Sequence, residues 1–321
     1  MRRHMCPRGD CELVLARPDS RLRPGVIGYR GYRLTGGEAH RRLFAPEGSV
    51  SLFLTLDGEM TTGHSGEATR AVSRSAVVYG PHMRPKVLCH RGVTEGIEVS
   101  LLPWVARRLF DASMGELADA VVEAGVVMGR SLPHLTDAMS AAPDWRTRFA
   151  LLDLQLLRWT TCAGAARAPA PSVLHAWDLL TGTAGTLPIH AVAARTQWSR
   201  RQLEIRFREQ IGLTPKRLAR ALRLDRAIGL LSAGGGQAET AAVAGFCDQA
   251  HLAREFRALT GMPPGLFLDT FALGCPWPAV PQDEGGPFAS VQDPEGGPFA
   301  FVQDPEGGPS PDSIREGRTT S

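Results

Sequence analysis

GFCDQAHLAREFRALTGMPP, running from Gly245 to Pro264, contains a turn, a helix and a stop. Gly245 tolerates the positive φ a tight turn needs. Asp248 is a good N-cap for the helix after it. Leu252 and Phe256 are four apart and share one helix face, so they point inward. Gln249, His251, Arg254 and Arg257 are left for the other faces. Gly261 and the prolines at 263 and 264 end the helix. Trp198 to Pro215, WSRRQLEIRFREQIGLTP, repeats this outline. Ser199 is the cap, Leu203 and Phe207 form the inner face, and Gly212 with Pro215 is the stop.

Each unit is preceded by a short helical stretch. IHAVAAR (Ile189–Arg195) places Ala193 inward, where Leu203 and Phe207 pack back on it and on Val192. Ala241 plays the same part in the second unit. A short helix, a tight turn and a second helix with a packed inner face and an Arg/Gln-rich outer face form a helix-turn-helix. Such a helix fits the DNA major groove, where Arg pairs with guanine, Gln with adenine, and Glu accepts from cytosine. Between the units, Thr214 and Pro215 supply an N-cap and an N1 proline for a long helix through PKRLARALRLDRAIGLLSAG. A rigid connector of this kind sets two readers on successive major-groove segments, roughly 34 Å apart.

Charge follows the same division. From Arg195 to Arg226, ten Lys/Arg residues face only Glu204, Glu209 and Asp225. From Leu273 to Ser321, eight acidic residues face only Arg315 and Arg318, within a net charge of +3 for all 321 residues. A basic block beside an acidic tail points to an anionic partner, although a solvated helix face gives the same charge count. The tail repeats QDEGGPFASV, QDPEGGPFAFV and QDPEGGPS; too poor in apolar residues to offset ordering entropy, it is expected to be disordered.

Upstream, VIGYRGYRL, SVSLFLTL, SAVVYG, PKVLCH and GIEVSLL read as short strands of a small barrel or sandwich between Pro24 and Pro103. Trp104 to Cys162 reads as helical, and Ala163–Ser172 as a linker, with Ser172 expected to cap the next helix. The divisions expected are a loose arm at 1–20, a β-rich effector or dimerisation domain with trailing helices at 21–165, a tandem helix-turn-helix domain at 172–272 and the tail at 273–321. The fold class is α+β in two domains.

Residues 186–271 resemble the paired helix-turn-helix domain of the AraC/XylS-type transcription regulators. WSRRQLEIRFREQIGLTPKRLARALRL carries the first unit and connector, and GFCDQAHLAREFRALTGMPPGLF the second unit. GVIGYRGYRL, GPHMRPKVL, GIEVSLLPWVARRLF, AWDLLTGTAG and the VQD of the tail are similar to an actinobacterial-type subgroup. The resemblance implies a cupin-like N-terminal barrel that senses a small molecule or mediates dimerisation. It implies double-stranded DNA as partner, and it allows for RNA polymerase, a small-molecule effector and a second copy of the chain as further partners.

By position in that motif, Arg201, Glu204 and Ile205 align with base-reading positions, flanked by Arg200 and Gln202; Arg208, outward on the same helix, is a further DNA-binding candidate. Gln249, His251 and Arg254 are the candidates in the second unit. Lys216, Arg217 and Arg257 are expected on phosphate, as most protein–DNA hydrogen bonds are. Glu204 has an alternative as an i±4 partner of Arg200 or Arg208. Arg220, Arg223 and Arg226 are expected on a solvated face. The sequence departs from the family at Gln197, where the turn usually has glycine, so either Gln197 is left-handed or the turn is remodelled. It departs again at Gln237 and Thr240, where apolar core residues are usual.

Other chemistries find little support. His4, Cys6 and Cys11 cluster with a cysteine gap that matches zinc-ligand spacing only loosely and with no second pair following, and His82, Cys89 and His90 lack the His-x-His plus Glu arrangement that metal-binding cupins use, so no metal is expected at either place. Cys247, near a helix N-terminus, is either a redox-sensitive thiol or a small filler. No phosphate loop, Gly-x-Ser-x-Gly or paired carboxylate motif is present, so neither catalysis nor a cofactor is expected. No apolar run reaches the roughly 20 residues of a membrane helix, and no signal core follows Met1, so the chain is expected in the cytosol. The competing function is an antirepressor-like protein-interaction factor whose helix-turn-helix has lost its DNA.

Overall fold

The structure, a computed structural model, describes residues 1–5, 11–23, 25–35, 40–64, 70–73, 76–90, 92–128, 131–162 and 168–273. The repeats of the expected tail, from 274 onward, lie outside the described residues.

Two antiparallel sheets build the N-terminal domain. The larger runs in the order β1 (Arg2–Met5), β2 (Cys11–Ala16), β3 (Val26–Leu34), β10 (Thr94–Leu101), β5 (Val50–Asp57), β8 (Ala76–Tyr79) and β11 (Val121–Glu123). The smaller runs β4 (His40–Phe44), β9 (Lys86–His90), β6 (Glu59–His64) and β7 (Arg70–Ser73). The period of two sends Tyr29, Leu52 and Leu54 to one face and Tyr32, Leu34 and Phe53 to the other. The first face is covered by α1 (Pro103–Phe110), α2 (Met114–Leu117), α3 (Ala124–Met128), α4 (Ser131–Ser140) and α5 (Trp145–Cys162), through Phe110, Met139, Phe149 and Leu152. The second face meets Met60 and Leu88 of the smaller sheet. Both faces are buried, which is why β5 is apolar through most of its length, while the charged residues that β3 and β10 carry are held in ion pairs.

Polar groups share the space between the sheets. Arg30 and Glu98 are cross-strand partners and form a buried ion pair. Buried Lys86 pairs with Glu47, donates to Ser51 Oγ at 3.1 Å, and lies 4.9 Å from the centre of the Tyr79 ring.

Three expectations need correction. The barrel is not closed: among the described residues the two sheets share no paired strand, because β4 pairs with β9 rather than returning to β3. The described residues 1–5 and 11–20 are not a loose arm. β1 and β2 extend the large sheet, and Leu13, Val14 and Leu15 of β2 are buried. Ser172 is not a cap. The helix starts one residue earlier at Pro171, with Ala170 as N-cap, because the proline's φ is already helical.

The C-terminal domain is helical. It comprises α6 (Pro171–Gly182), α7 (Ile189–Arg195), α8 (Arg200–Ile211), α9 (Pro215–Ser232), α10 (Gln237–Val243), α11 (Gln249–Thr260) and α12 (Pro264–Leu273). Its two apolar clusters include residues from the first domain. Leu102 and Trp104 join Trp177, Leu203 and Leu218, with the Trp104 and Trp177 rings edge to face at 5.3 Å. Met83 joins Leu213, Leu224 and Phe256. Among the described residues, no helix is long and apolar enough to cross a membrane.

Candidate nucleic-acid interface

The first unit is α7, a turn and α8. Trp198 N–H donates to Ala193 O at 3.1 Å and Gln197 N–H to Ala194 O at 3.2 Å, closing the turn. Gln197 holds the left-handed conformation, φ 59°. The turn keeps its geometry despite the missing glycine, at a cost of about 1–2 kcal/mol. Ser199 then caps α8 through a full capping box. Its hydroxyl accepts from Gln202 N–H at 3.2 Å, and Gln202 Oε1 accepts from Ser199 N–H at 3.0 Å. Leu203 and Phe207 are fully buried against Val192 and Ala193, each contributing about 1.5–3 kcal/mol of transfer free energy.

The opposite face of α8 is open. Arg200, Arg201, Glu204, Ile205 and Arg208 are exposed. Ile205, an isoleucine 54% accessible among charges, is the apolar exception on that face. Among the described residues Glu204 makes no ion pair, so the intrahelical partnership with Arg200 or Arg208 is not formed; Arg206 pairs instead with Glu209 at 3.3 Å. Gln202 is exposed, but its amide oxygen is committed to the cap.

The second unit reproduces this plan from a different sequence. Phe246 N–H donates to Ala241 O at 2.8 Å, as Trp198 does to Ala193, and Gly245 sits at φ 78° where Gln197 sits in the first unit. Asp248 caps α11, accepting from His251 N–H at 2.6 Å. Leu252 and Phe256 are buried. The second turn is one residue longer, so Arg254 occupies the helical position of Ile205, and Arg257 that of Arg208. Both arginines are exposed. Gln249 and His251 are partly engaged. Gln249 Nε2 donates to Gln237 Oε1 at 3.1 Å; His251 Nδ1 accepts from Cys247 N–H at 3.2 Å, and its ring stands edge-on to Phe246. The departure at Thr240 leaves a buried side chain whose hydroxyl finds no hydrogen-bond partner among the described residues.

The connector α9 is capped by Thr214, which accepts from Arg217 N–H at 3.3 Å. Lys216 is exposed. Arg217 pairs with Asp119 of the N-terminal domain, whose other carboxylate oxygen accepts from Met83 N–H at 2.7 Å. Burial alone would raise the Asp119 pKa. The Met83 amide and the Arg217 guanidinium outweigh it and hold the carboxyl below its usual range. Beside this pair α2 packs on the end of α8, so closely that a Cβ at Gly212 would lie 2.6 Å from Met114 O.

Arg220 and Arg223 are not on the solvated face expected for them. Arg220 forks onto Glu255 of α11 at 2.7 and 3.2 Å. Arg223 donates to Gly245 O at 3.1 Å and lies 5.4 Å from the Phe246 ring centre. Sequence reasoning missed both because the partners lie 35 and 22 residues away. Elsewhere, His82 and His90 are buried in the sheet domain, Cys89 is half-buried, Cys247 is exposed and Cys6 lies outside the described residues.

A family model described as a helix-turn-helix domain matches residues 192–270. No curated protein matches the sequence. Among solved structures the chain is similar to ToxT from Vibrio cholerae, at 11% identity and a TM-score of 0.45, over 75% of this chain and 97% of that one. The C-terminal domain of AraT, a response regulator from Geobacillus stearothermophilus, is similar at 20% identity and a TM-score of 0.30, over 32% of this chain and 87% of that one. A cupin superfamily protein from Desulfitobacterium hafniense is similar at 14% identity and a TM-score of 0.22, over 28% and 76%. The family match and two cap-turn-helix units on one connector together make residues 192–270 a helix-turn-helix domain.

Proposed function

We propose that this chain is a DNA-binding transcription regulator of the AraC/XylS type, whose two units read successive major-groove segments. The observation that carries this is the pairing of two like units across α9, each presenting exposed arginines. The 18-residue connector spans about 27 Å at 1.5 Å per residue. With α8 and α11 flanking it, that length is commensurate with the roughly 34 Å between major-groove segments on one face of a duplex. Arg201, Glu204 and Ile205 read bases from α8, with Arg200, Gln202 and Arg208 beside them. Arg254 reads from α11, alongside Gln249 and His251 through whatever capacity their local bonds leave. Lys216, Arg217 and Arg257 bind phosphate.

The N-terminal domain takes an effector or a second copy of the chain. A ligand changes DNA occupancy only by binding two states of the protein differently. The Asp119–Arg217 pair and the α2–α8 packing are where such a difference reaches the first unit. Fluorescence anisotropy with the DNA upstream of the chain's own gene, against a scrambled duplex over a salt series, tests the function. A steep salt slope with a surviving preference for the upstream duplex is expected. Equal, shallow binding to both duplexes would favour the antirepressor-like alternative.

A further inference from the structure

We infer that Arg220, Arg223 and Glu255 are positioning residues that set the spacing and phase at which the second unit meets DNA. The inference rests on the proposal that both units read sequence. Arg220 and Arg223 are three residues apart on α9 and share one side of it. They grip the second unit at two separate places. Arg220 places Nε 2.7 Å from Glu255 Oε2 and Nη2 3.2 Å from Glu255 Oε1. This two-point fork constrains orientation as well as distance. Arg223 holds the turn before α11, through Gly245 O at 3.1 Å and the face of Phe246.

The apolar contacts of α11 cannot do this alone. Leu252 and Phe256 seat the helix against the connector's cluster, but apolar packing is non-directional and permits small rolls about the helix axis. Glu255 adjoins Arg254, the exposed arginine. With side chains, a helix has a radius of about 5–6 Å, so a roll of about 20° displaces a side-chain tip by about 2 Å. A shift of that size takes an arginine out of hydrogen-bond range of a base edge. The fork between Arg220 and Glu255 lies where it prevents such a roll.

The first unit is held differently. α8 joins α9 through the short Gly212–Thr214 stop, and α2 of the N-terminal domain packs on its end. Both reading helices share apolar clusters with the connector, but the Arg220 fork and the Arg223 turn contact are made to the second unit. Loosening those two contacts leaves the first unit's sequence preference intact.

The experiment uses the full chain and a pool of duplexes carrying 30 random base pairs. Wild type is expected to enrich two motifs about 10–10.5 base pairs apart, centre to centre. One inserted base pair turns the second site by about 34°, and is expected to weaken wild-type binding by about tenfold. Glu255→Gln is expected to keep the first motif, broaden the spacing distribution and reduce the insertion penalty to about threefold or less. Arg223→Ala is expected to act in the same direction through the turn, and Arg220→Lys to fall between, since lysine keeps the charge without the fork. Thermal unfolding and circular dichroism confirm that each variant is folded. If folded Glu255→Gln and Arg223→Ala keep the wild-type spacing and insertion penalty, the inference is overturned. A single motif in wild type overturns it too, because no second head is then being positioned. Enrichment of no sequence at all by wild type instead refutes the DNA-reading function beneath it.

Discussion

Replacing Asp119 by Asn should tighten DNA binding. Arg217 lies in the first turn of the connector and, in the proposed function, binds phosphate. In this structure its guanidinium is held by Asp119, so DNA must displace a carboxylate to gain a phosphate oxygen. Their side chains are 37% and 26% exposed, which places the pair among partly solvated ion pairs worth about 0.5–1 kcal/mol. Removing that competition predicts an affinity gain of about two- to fivefold at low salt, since 1.4 kcal/mol is about tenfold. Asparagine is the right replacement for two reasons. Its side-chain oxygen still accepts from Met83 N–H, and it tolerates the left-handed backbone at this position, φ 55°. Anisotropy with the upstream duplex measures the effect, and screening should shrink the gain as salt rises. The control is the same substitution in an Arg217→Ala background, where the gain should vanish. An unchanged or weaker affinity for Asp119→Asn refutes the reasoning. An equal gain without Arg217 refutes it as well, because the effect would then come from net charge.

The same pair fixes the sign of a pH effect. The Asp119 carboxyl is held low in the folded state, so its contribution is present at neutral pH and is lost as pH falls through that lowered value. The stability difference between wild type and Asp119→Asn in urea unfolding should disappear in acid; a difference that grows there contradicts this. Gln197→Gly should stabilise the protein by about 0.5–1 kcal/mol, the left-handed penalty less glycine's extra unfolded-chain entropy, and a fall in the unfolding midpoint would refute it. Thr240→Val should stabilise by about 1 kcal/mol by removing a buried unpaired hydroxyl at nearly constant shape. Destabilisation there would mean that the hydroxyl has a partner. Arg254→Ala should weaken specific binding by about 1–3 kcal/mol and relax preference at one base, whereas uniform loss across sequences would make it a phosphate contact.

What was legible in the sequence was local. Ser199, Thr214 with Pro215, and Asp248 mark helix starts because a cap acts within three residues. The inner faces at Leu203, Phe207, Leu252 and Phe256 follow from i, i+4 spacing. The five strands read from the sequence are short runs bounded by turn residues, with β-branched or aromatic side chains and mostly buried positions on both faces. Strands that broke this pattern were missed. β4, HRRLF, and β6, EMTTGH, lie in the smaller sheet and carry polar residues, and β1 and β2 were hidden by the basic, proline-interrupted N-terminus. Barrel closure is a property of pairing between distant strands, which no local pattern encodes. The contacts that organise the interface are also non-local: Asp119 and Arg217 are 98 residues apart. Arg220 and Arg223 read as solvated charge because a helix face does not reveal what packs beside it.

The most direct test of two-headed reading is methylation protection of guanine N7 on the upstream duplex, with wild type, Arg201→Ala and Arg254→Ala compared. Two protected major-groove patches are expected on one face, about one helical turn apart. Arg201→Ala should erase one patch and Arg254→Ala the other. Protection of a single patch, or uniform weakening of both by either substitution, would contradict a protein that reads DNA with two separate helices.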